Sequence, residues 1–275
     1  MTQKYVLYHS NCYDGFGAAY AAWKTLGDTA EYIPVSYSKP PPIMNPGSIV
    51  YIVDFSYKRD VLIELSKQHL VVVLDHHKTA MEDLKDLNNQ LNLNVTFDMN
   101  KSGAMLAWEY FHPNVNPPKL IQLIQDRDLW QFKIPGSKEL HVYLQSIDFD
   151  FKQWDNTDVE KAIVQGSAIT QFRDKQVEMI CRNAIETTIQ TPSGHVPCVV
   201  VNATAFWSEV GNHLLEKFPN SQMAASFGYM KNGKVMYSLR TRGDFDCSEV
   251  AKEFGGGGHK PAAGFESSQL VHSVL

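Results

Sequence analysis

The sequence predicts an α/β protein in which a mostly parallel sheet flanked by helices is joined by a long helix to a smaller α/β unit. Three observations predict it. Short apolar runs alternate with helical patterns through the first half of the chain. One of those runs, Leu70 to Leu74, is continuous in the manner of a strand buried on both faces. A long helical stretch then precedes a second group of strand and helix patterns. Composition agrees, because 275 residues with 44% hydrophobic and 20% charged side chains belong with ordinary globular proteins and can fill one large core or two smaller ones.

Tyr5 to Tyr8 reads as a strand, Gly15 to Leu26 as an Ala-rich helix, and Glu31 to Val35 and Ile49 to Val53 as further strands. Arg59 to Gln68 has helical spacing through Val61, Leu62 and Leu65 and leads into the run at Leu70. This β-α-β-β-α-β order implies parallel pairing. Pro40, Pro41, Pro42 and Pro46 remove donors from Lys39 to Gly47 and make it a loop. Gly103 to Phe111 and Lys119 to Gln125 read as helices, the second announced by Pro117 and Pro118. Asp158 to Ile189 reads as almost entirely helical, with Gly166 a candidate point of division, and Thr191 to Gly194 ends it. Beyond it, Val199 to Val201, Met223 to Tyr229 and Lys234 to Leu239 are expected strands, and Trp207 to Lys217 and Ser248 to Phe254 expected helices. The expected division is a first domain at 1–155, a helical linker at 156–194 and a second domain at 195–275.

With 25 basic and 30 acidic residues the formal charge is −5. That balance argues against a large duplex-binding surface, which needs many Lys and Arg, and leaves room for a small anion in a local basic pocket. Cys12, Cys181, Cys198 and Cys247 lack CxxC spacing, so neither a structural zinc site nor a disulfide framework is expected. The opening MTQKYVLYHS does not read as a leader, and no apolar run reaches the roughly 18 residues that span a bilayer. The expectation is a cytoplasmic protein with no membrane partner.

Three predicted strands run directly into metal-competent side chains: His9, Asp54, and the trio Asp75, His76 and His77. The carboxyl ends of parallel strands share one edge, so these groups are expected to converge. Asp14 starts the first helix at that edge, and Asp126 follows the apolar run Leu120 to Ile124. A lone Asp at a strand end is commonly a cap or turn residue. Three such ends together point instead to divalent ions, and two ions a few ångströms apart activate water and steady both oxygens of an in-line displacement at phosphorus. His69, His112, His141, His195 and His213 have no such company and read as surface or structural. Ser238 to Arg242 and the run Phe254 to His259 form a second signal. Arg grips a phosphate or carboxylate bidentately, and the four glycines are either an anion-binding turn or a flexible loop.

These motifs resemble the DHH phosphoesterase family, which includes RecJ-type exonucleases, nano-RNases, cyclic-dinucleotide phosphodiesterases and certain polyphosphatases. The resemblance rests on Leu74-Asp75-His76-His77-Lys78, on His9-Ser10-Asn11-Cys12-Tyr13-Asp14-Gly15, on Val53-Asp54 and on Gln125-Asp126-Arg127-Asp128. The glycine run with His259 and Ala262-Ala263-Gly264-Phe265 is similar to the family's DHH-associated C-terminal substrate domain. The resemblance implies that His9, Asp14, Asp54, His76 and Asp126 bind one or two divalent ions with Asp54 as the bridge, manganese being the leading expectation ahead of magnesium, iron and zinc. It further implies that Asp75 orients His76 and that His77 faces the scissile phosphate. Arg240, Gly256, Gly257, Gly258 and His259 would hold the substrate. Many family members carry an aspartate where this chain has Cys12, a residue that is either a buried structural thiol or a ligand for softer ions. Asp128 is either a further site carboxylate or a partner of Arg127.

The expected activity is hydrolysis of short oligonucleotides or linear dinucleotides to mononucleotides by metal-activated water. Alternatives are hydrolysis of polyphosphate or a nucleoside bisphosphate, and a non-catalytic nucleotide-binding protein. Tyr57, Trp130 and Phe265 are candidate rings for a base, and assembly of identical copies stays open.

Overall fold

The computed structural model describes residues 2–37, 39–87 and 91–272. The chain divides into two compact units, Met1–Thr170 and Gln171–Leu275.

The first unit carries a parallel sheet of β1 (Lys4–His9), β2 (Ala30–Val35), β3 (Ile49–Val53), β4 (Leu70–Asp75) and β5 (Leu93–Phe97), in the order β2-β1-β3-β4-β5. Strand order reverses at β1, which is where an open parallel sheet leaves a crevice outside its carboxyl edge. Alternation along the strands explains the continuous apolar runs. Val6, Val53, Val72 and Leu74 face one core with α1 (Tyr13–Leu26), α4 (Gly103–Phe111) and α5 (Lys119–Asp128), while Tyr5, Leu7, Ile52, Val71 and Val73 face a second core with α2 (Arg59–Gln68). Fully buried Ala18, Ala19, Ala21 and Ala22 let α1 pack closely within the first core.

β5, α3 (Lys78–Leu84), α6 (Ser137–Leu144) and α7 (Phe151–Asp155) were not expected from sequence. β5 is the edge strand, and only Leu93 and Val95 of its residues are buried, between exposed Asn94 and Thr96. Such short alternation is a weak signal beside the two-sided runs of β1, β3 and β4.

α8 (Val159–Cys181) runs unbroken through Gly166, so that glycine does not divide it. A Cβ there would stand 1.9 Å from the Glu139 carbonyl oxygen, so the residue serves close packing of α8 against α6. The predicted helix extends too far, because Ile185–Thr191 is strand β6. Ile185 and Ile189 fit helical spacing, but five of the seven residues, Ile185, Thr187, Thr188, Ile189 and Thr191, are β-branched, and they pair antiparallel with β7 (Gly194–Asn202).

β6 and β7 belong to the second unit's mixed sheet, ordered β10-β11-β9-β8-β7-β6, with β8 (Met223–Tyr229), β9 (Val235–Thr241), β10 (Gly257–His259) and β11 (Ala262–Ser267). One face packs under α9 (Trp207–Lys217) through Val199, Val201, Ala224, Val210 and Leu214. The other packs under α10 (Cys247–Glu253) through Val200, Ala225, Tyr237, Leu239, Val250 and Phe265.

Candidate metal centre

Sheet register brings the chemistry together. Tyr8 lies beside Val53, and Val53 beside Leu74, so the next residue on each strand, His9, Asp54 and Asp75, stands in one row at the carboxyl edge beside the switch point. Asp54 has a φ of +54°, a left-handed conformation that an aspartate adopts at a cost, although its N–H still bonds the Leu74 carbonyl. Gly103 at the start of α4 makes room for it, since a Cβ there would lie 2.4 Å from the Asp54 Cβ.

His76 Nε2 lies 3.1 Å from Asp54 Oδ1, 3.5 Å from Asp14 Oδ2 and 3.7 Å from Asp128 Oδ2. Asp14 is fixed by N–H donation from Gly103 at 2.5 Å and Ala104 at 3.0 Å, where the N-terminus of α4 favours an anion. On the far side of Asp54, His9 Nδ1 stands 3.5 Å from Oδ2, and these two buried atoms make no hydrogen bond among the described residues. The ligand atoms of Asp14, Asp54 and His76 lie within 4.8 Å of one another, as do those of His9, Cys12 and Asp54.

The electrostatics match a cation site. Burial raises the Asp14 carboxyl, Asp128 and Asp54 add to the effect, and the group stands well above the usual carboxylate range. Burial likewise raises Asp128. Burial opposes ionisation of Asp54 too, but the His76 and His9 rings outweigh it and hold Asp54 well below that range. His76 is driven the other way: burial disfavours its charge, yet Asp54, Asp128 and Asp14 push it up to about 10. Three carboxyls, two of them buried, thus crowd one imidazole, and Asp54 Oδ2 is left without a hydrogen bond among the described residues. A hard or borderline divalent cation resolves both conditions, so the residues present fit one.

Asp126 does not join this cluster. Its Oδ1 accepts the Lys133 N–H at 2.9 Å, and its Oδ2 accepts the Ile134 N–H at 3.1 Å and the Ser137 hydroxyl. It closes the turn between α5 and α6, and Asp128 reaches His76 instead. The expected carboxylate is therefore displaced by two residues, a shift that apolar spacing along α5 does not resolve. Asp75 also differs from expectation, because its ring partner is His77, with Nδ1 2.7 Å from Oδ1, and not His76. Oδ1 further accepts the His76 and His77 N–H groups, and Oδ2 accepts the Ser56 hydroxyl at 2.6 Å. A carboxylate so fully used orients its neighbours and is poorly placed to ligate.

Of the rings considered for base stacking, Tyr57 and Phe265 are buried in the cores. Trp130 carries the Arg127 guanidinium 4.3 Å above its ring. An exposed aromatic at the centre is Tyr37, 56% exposed and edge-on to His9 at 5.3 Å and His77 at 6.2 Å. It escaped sequence reading because nothing local distinguishes it from any other loop tyrosine.

In the second unit, His259 pairs with Ala262 and Ala262 with Arg240, which puts Arg240 and His259 on one face, two strands or about 10 Å apart. The Arg240 guanidinium donates to Ser238 Oγ at 3.1 Å, the Leu239 carbonyl at 2.7 Å and Ser208 Oγ at 2.6 Å. The glycine run is no slack loop. A Cβ at Gly256 would lie 2.1 Å from the Gly264 oxygen, and one at Gly258 would lie 2.5 Å from the Ala262 oxygen. Those glycines let β10 pack against β11, while Gly257 pairs with Gly264.

Among described residues, no helix is long and apolar enough to cross a membrane. Residues 202–273 match the DHHA1 domain family. An uncharacterized protein of Acanthamoeba polyphaga mimivirus is 35% identical over 290 residues, covering 96% of this chain and 68% of that protein. Oligoribonuclease NrnB of Bacillus subtilis is 27% identical over 226 residues, covering 74% of this chain and 55% of that protein. Two solved structures align at low identity. An uncharacterized protein of Helicobacter pylori G27 does so with a TM-score of 0.47 and 14% identity, covering 99% of this chain and 95% of that one. The pGpG-specific phosphodiesterase PggH of Vibrio cholerae does so with a TM-score of 0.48 and 13% identity, covering 96% and 93%. With the Asp75-His76-His77 motif at the carboxyl edge of the parallel sheet and the DHHA1 match in the second unit, this chain belongs to the DHH/DHHA1 phosphoesterase family.

Proposed function

We propose that this chain hydrolyses short oligonucleotides or linear dinucleotides to mononucleotides with the help of bound divalent ions. The observation that carries the reading is the set Asp14, Asp54 and His76, with the buried Asp54 oxygen lacking a hydrogen bond. His9, Asp14, Asp54, His76 and Asp128 would hold the ions, with Asp54 shared between two positions. When bound, such ions neutralise charge on the phosphate and lower the pKa of water, which supplies the nucleophile for in-line displacement.

The chain's own residues do the rest. Gly103 and Ala104 N–H groups hold Asp14 in place, so its oxygens need no reorganisation during turnover. Asp75 fixes the His77 ring through Nδ1, and its Nε2 would face the phosphate or its departing oxygen. Arg240 has its guanidinium oriented by Ser208 and Ser238 and is assigned, with Gly256, Gly257, Gly258 and His259, to an anionic group of the substrate. Tyr37 offers an exposed ring to a base. The net charge of −5 favours short substrates over long duplexes. The relative from Bacillus subtilis, named an oligoribonuclease, supports the same class.

The test is a panel of linear dinucleotides, cyclic dinucleotides, nucleoside bisphosphates and polyphosphate, with manganese, magnesium and zinc supplied singly and in pairs. Linear dinucleotides should be cleaved, and Asp54→Ala should cleave nothing. Turnover confined to polyphosphate or bisphosphates would overturn the substrate class, and tight binding without hydrolysis under every ion combination would leave a binding protein.

A further inference from the structure

Two carboxylate-sharing positions meet at Asp54, and their chemistry differs. On one side stand Asp14, His76 and Asp128, a hard, oxygen-rich set. On the other stand His9 and Cys12. We propose that the second position is a distinct site for a borderline, thiophilic divalent ion, zinc, iron(II) or cobalt(II), ligated by His9, the Cys12 thiolate and Asp54. The centre is then mixed, with a harder ion such as manganese or magnesium in the carboxylate-rich position. The inference rests on the metal reading above and adds to it the identity of one ion.

Three observations carry it. Ligand atoms of His9, Cys12 and Asp54 lie within 4.8 Å of one another, the reach of a single ion. Asp54 is 1% exposed, and its Oδ2, like the buried His9 Nδ1, has no hydrogen-bond partner among the described residues. A neutral thiol is only a weak donor to an orphaned carboxylate oxygen, whereas a cation among them engages all three groups. Finally, Cys12 caps α1, a helix of 14 residues, and its Sγ accepts the Gly15 N–H at 3.5 Å. Burial and the Asp54, Asp14 and Asp128 carboxyls push this thiol up, so the cation itself would have to displace its proton on binding. The other thiols, Cys181, Cys198 and Cys247, are all buried in the second unit's cores.

A purely structural account makes Cys12 only a helix cap. Serine caps at least as well as cysteine and is a poor ligand for these ions, so Cys12→Ser separates the two accounts. The experiment is titration of the chelator-stripped full chain with cobalt(II), following the near-ultraviolet thiolate-to-cobalt band and bound cobalt, with circular dichroism to verify folding. The wild type should develop the band, zinc should abolish it and manganese should not. Cys12→Ser should fold and lack the band. Cys12→Asp should bind cobalt without the band and shift the ratio of zinc to manganese affinity at least about tenfold toward manganese, since even outer partners of a ligand affect affinity on that scale. Cobalt bound to the wild type without the band, or a band that survives in Cys12→Ser, overturns the proposal. If Asp54→Ala still abolishes cobalt binding in that event, the broader metal reading stands and only the role of Cys12 falls.

Discussion

At the carboxyl edge of the first sheet, Asp54 sits in a left-handed conformation with an orphaned oxygen, and three carboxyls, two of them buried, share one imidazole. Across the second unit's sheet, Arg240 has its guanidinium held by Ser208, Ser238 and a backbone carbonyl, and the glycines at 256 and 258 are accounted for by packing against β11. The first region breaks folding rules that the second obeys. Local conflict with stability marks a site whose missing partner is a ligand, whereas a satisfied region reveals its purpose only through the type of residue it displays. Geometry therefore supports the proposed metal centre, whereas only residue type supports the proposed anion-gripping face.

The sharpest way to break this contrast uses two carboxylates two residues apart. Asp128→Asn should lower turnover by at least about a hundredfold through weakened metal binding. It should also raise the melting temperature of the metal-free protein, because a carboxyl whose pKa folding raises opposes folding once pH exceeds its ordinary value. Asp126→Asn should do the reverse, retaining metal while losing about 1–3 kcal/mol of stability as its turn hydrogen bonds weaken. A variant at Asp126 that folds normally but has lost its metal would show that the two roles are exchanged.

Arg240→Ala should raise KM about tenfold to a hundredfold with metal content unchanged, the scale of one lost charged hydrogen bond, and Arg240→Lys should recover only part of it. Loss of metal in either variant would contradict the separation of the two regions. Gly103→Ala forces a methyl against Asp54 and should cost about 1–3 kcal/mol together with metal affinity, measured by thermal melts with and without manganese. Tyr37→Ala should be mildest, weakening dinucleotide binding about fivefold, the low end of a stacking contact, without affecting any hydrolysis of a base-free phosphodiester. Equal loss on both substrates would assign Tyr37 to holding His9 and not to a base.

Most of the centre was legible because its residues obey topology: parallel strands end together, so His9, Asp54 and Asp75 could be placed in one row without coordinates. The choice between Asp126 and Asp128 was not legible, since one residue of helix rotates a side chain by about 100° and the helical end of α5 decides which carboxylate turns inward. The Asp75–His77 pairing depends on the conformation of the two residues between β4 and α3, and Tyr37 on the path of a proline-rich loop. Among the fold elements, β6 was misread for a related reason. Isoleucines four apart satisfy helix and strand alike, and only the partner β7 decides between them.

The central claim is that Asp54 anchors divalent ions required for phosphoester hydrolysis. Its most direct test is metal content after gel filtration, measured on the same samples as dinucleotide turnover, for the wild type and Asp54→Ala. The account predicts a wild type that retains divalent ions and turns over, and a folded Asp54→Ala that does neither. An Asp54→Ala protein with undiminished metal and turnover would contradict it.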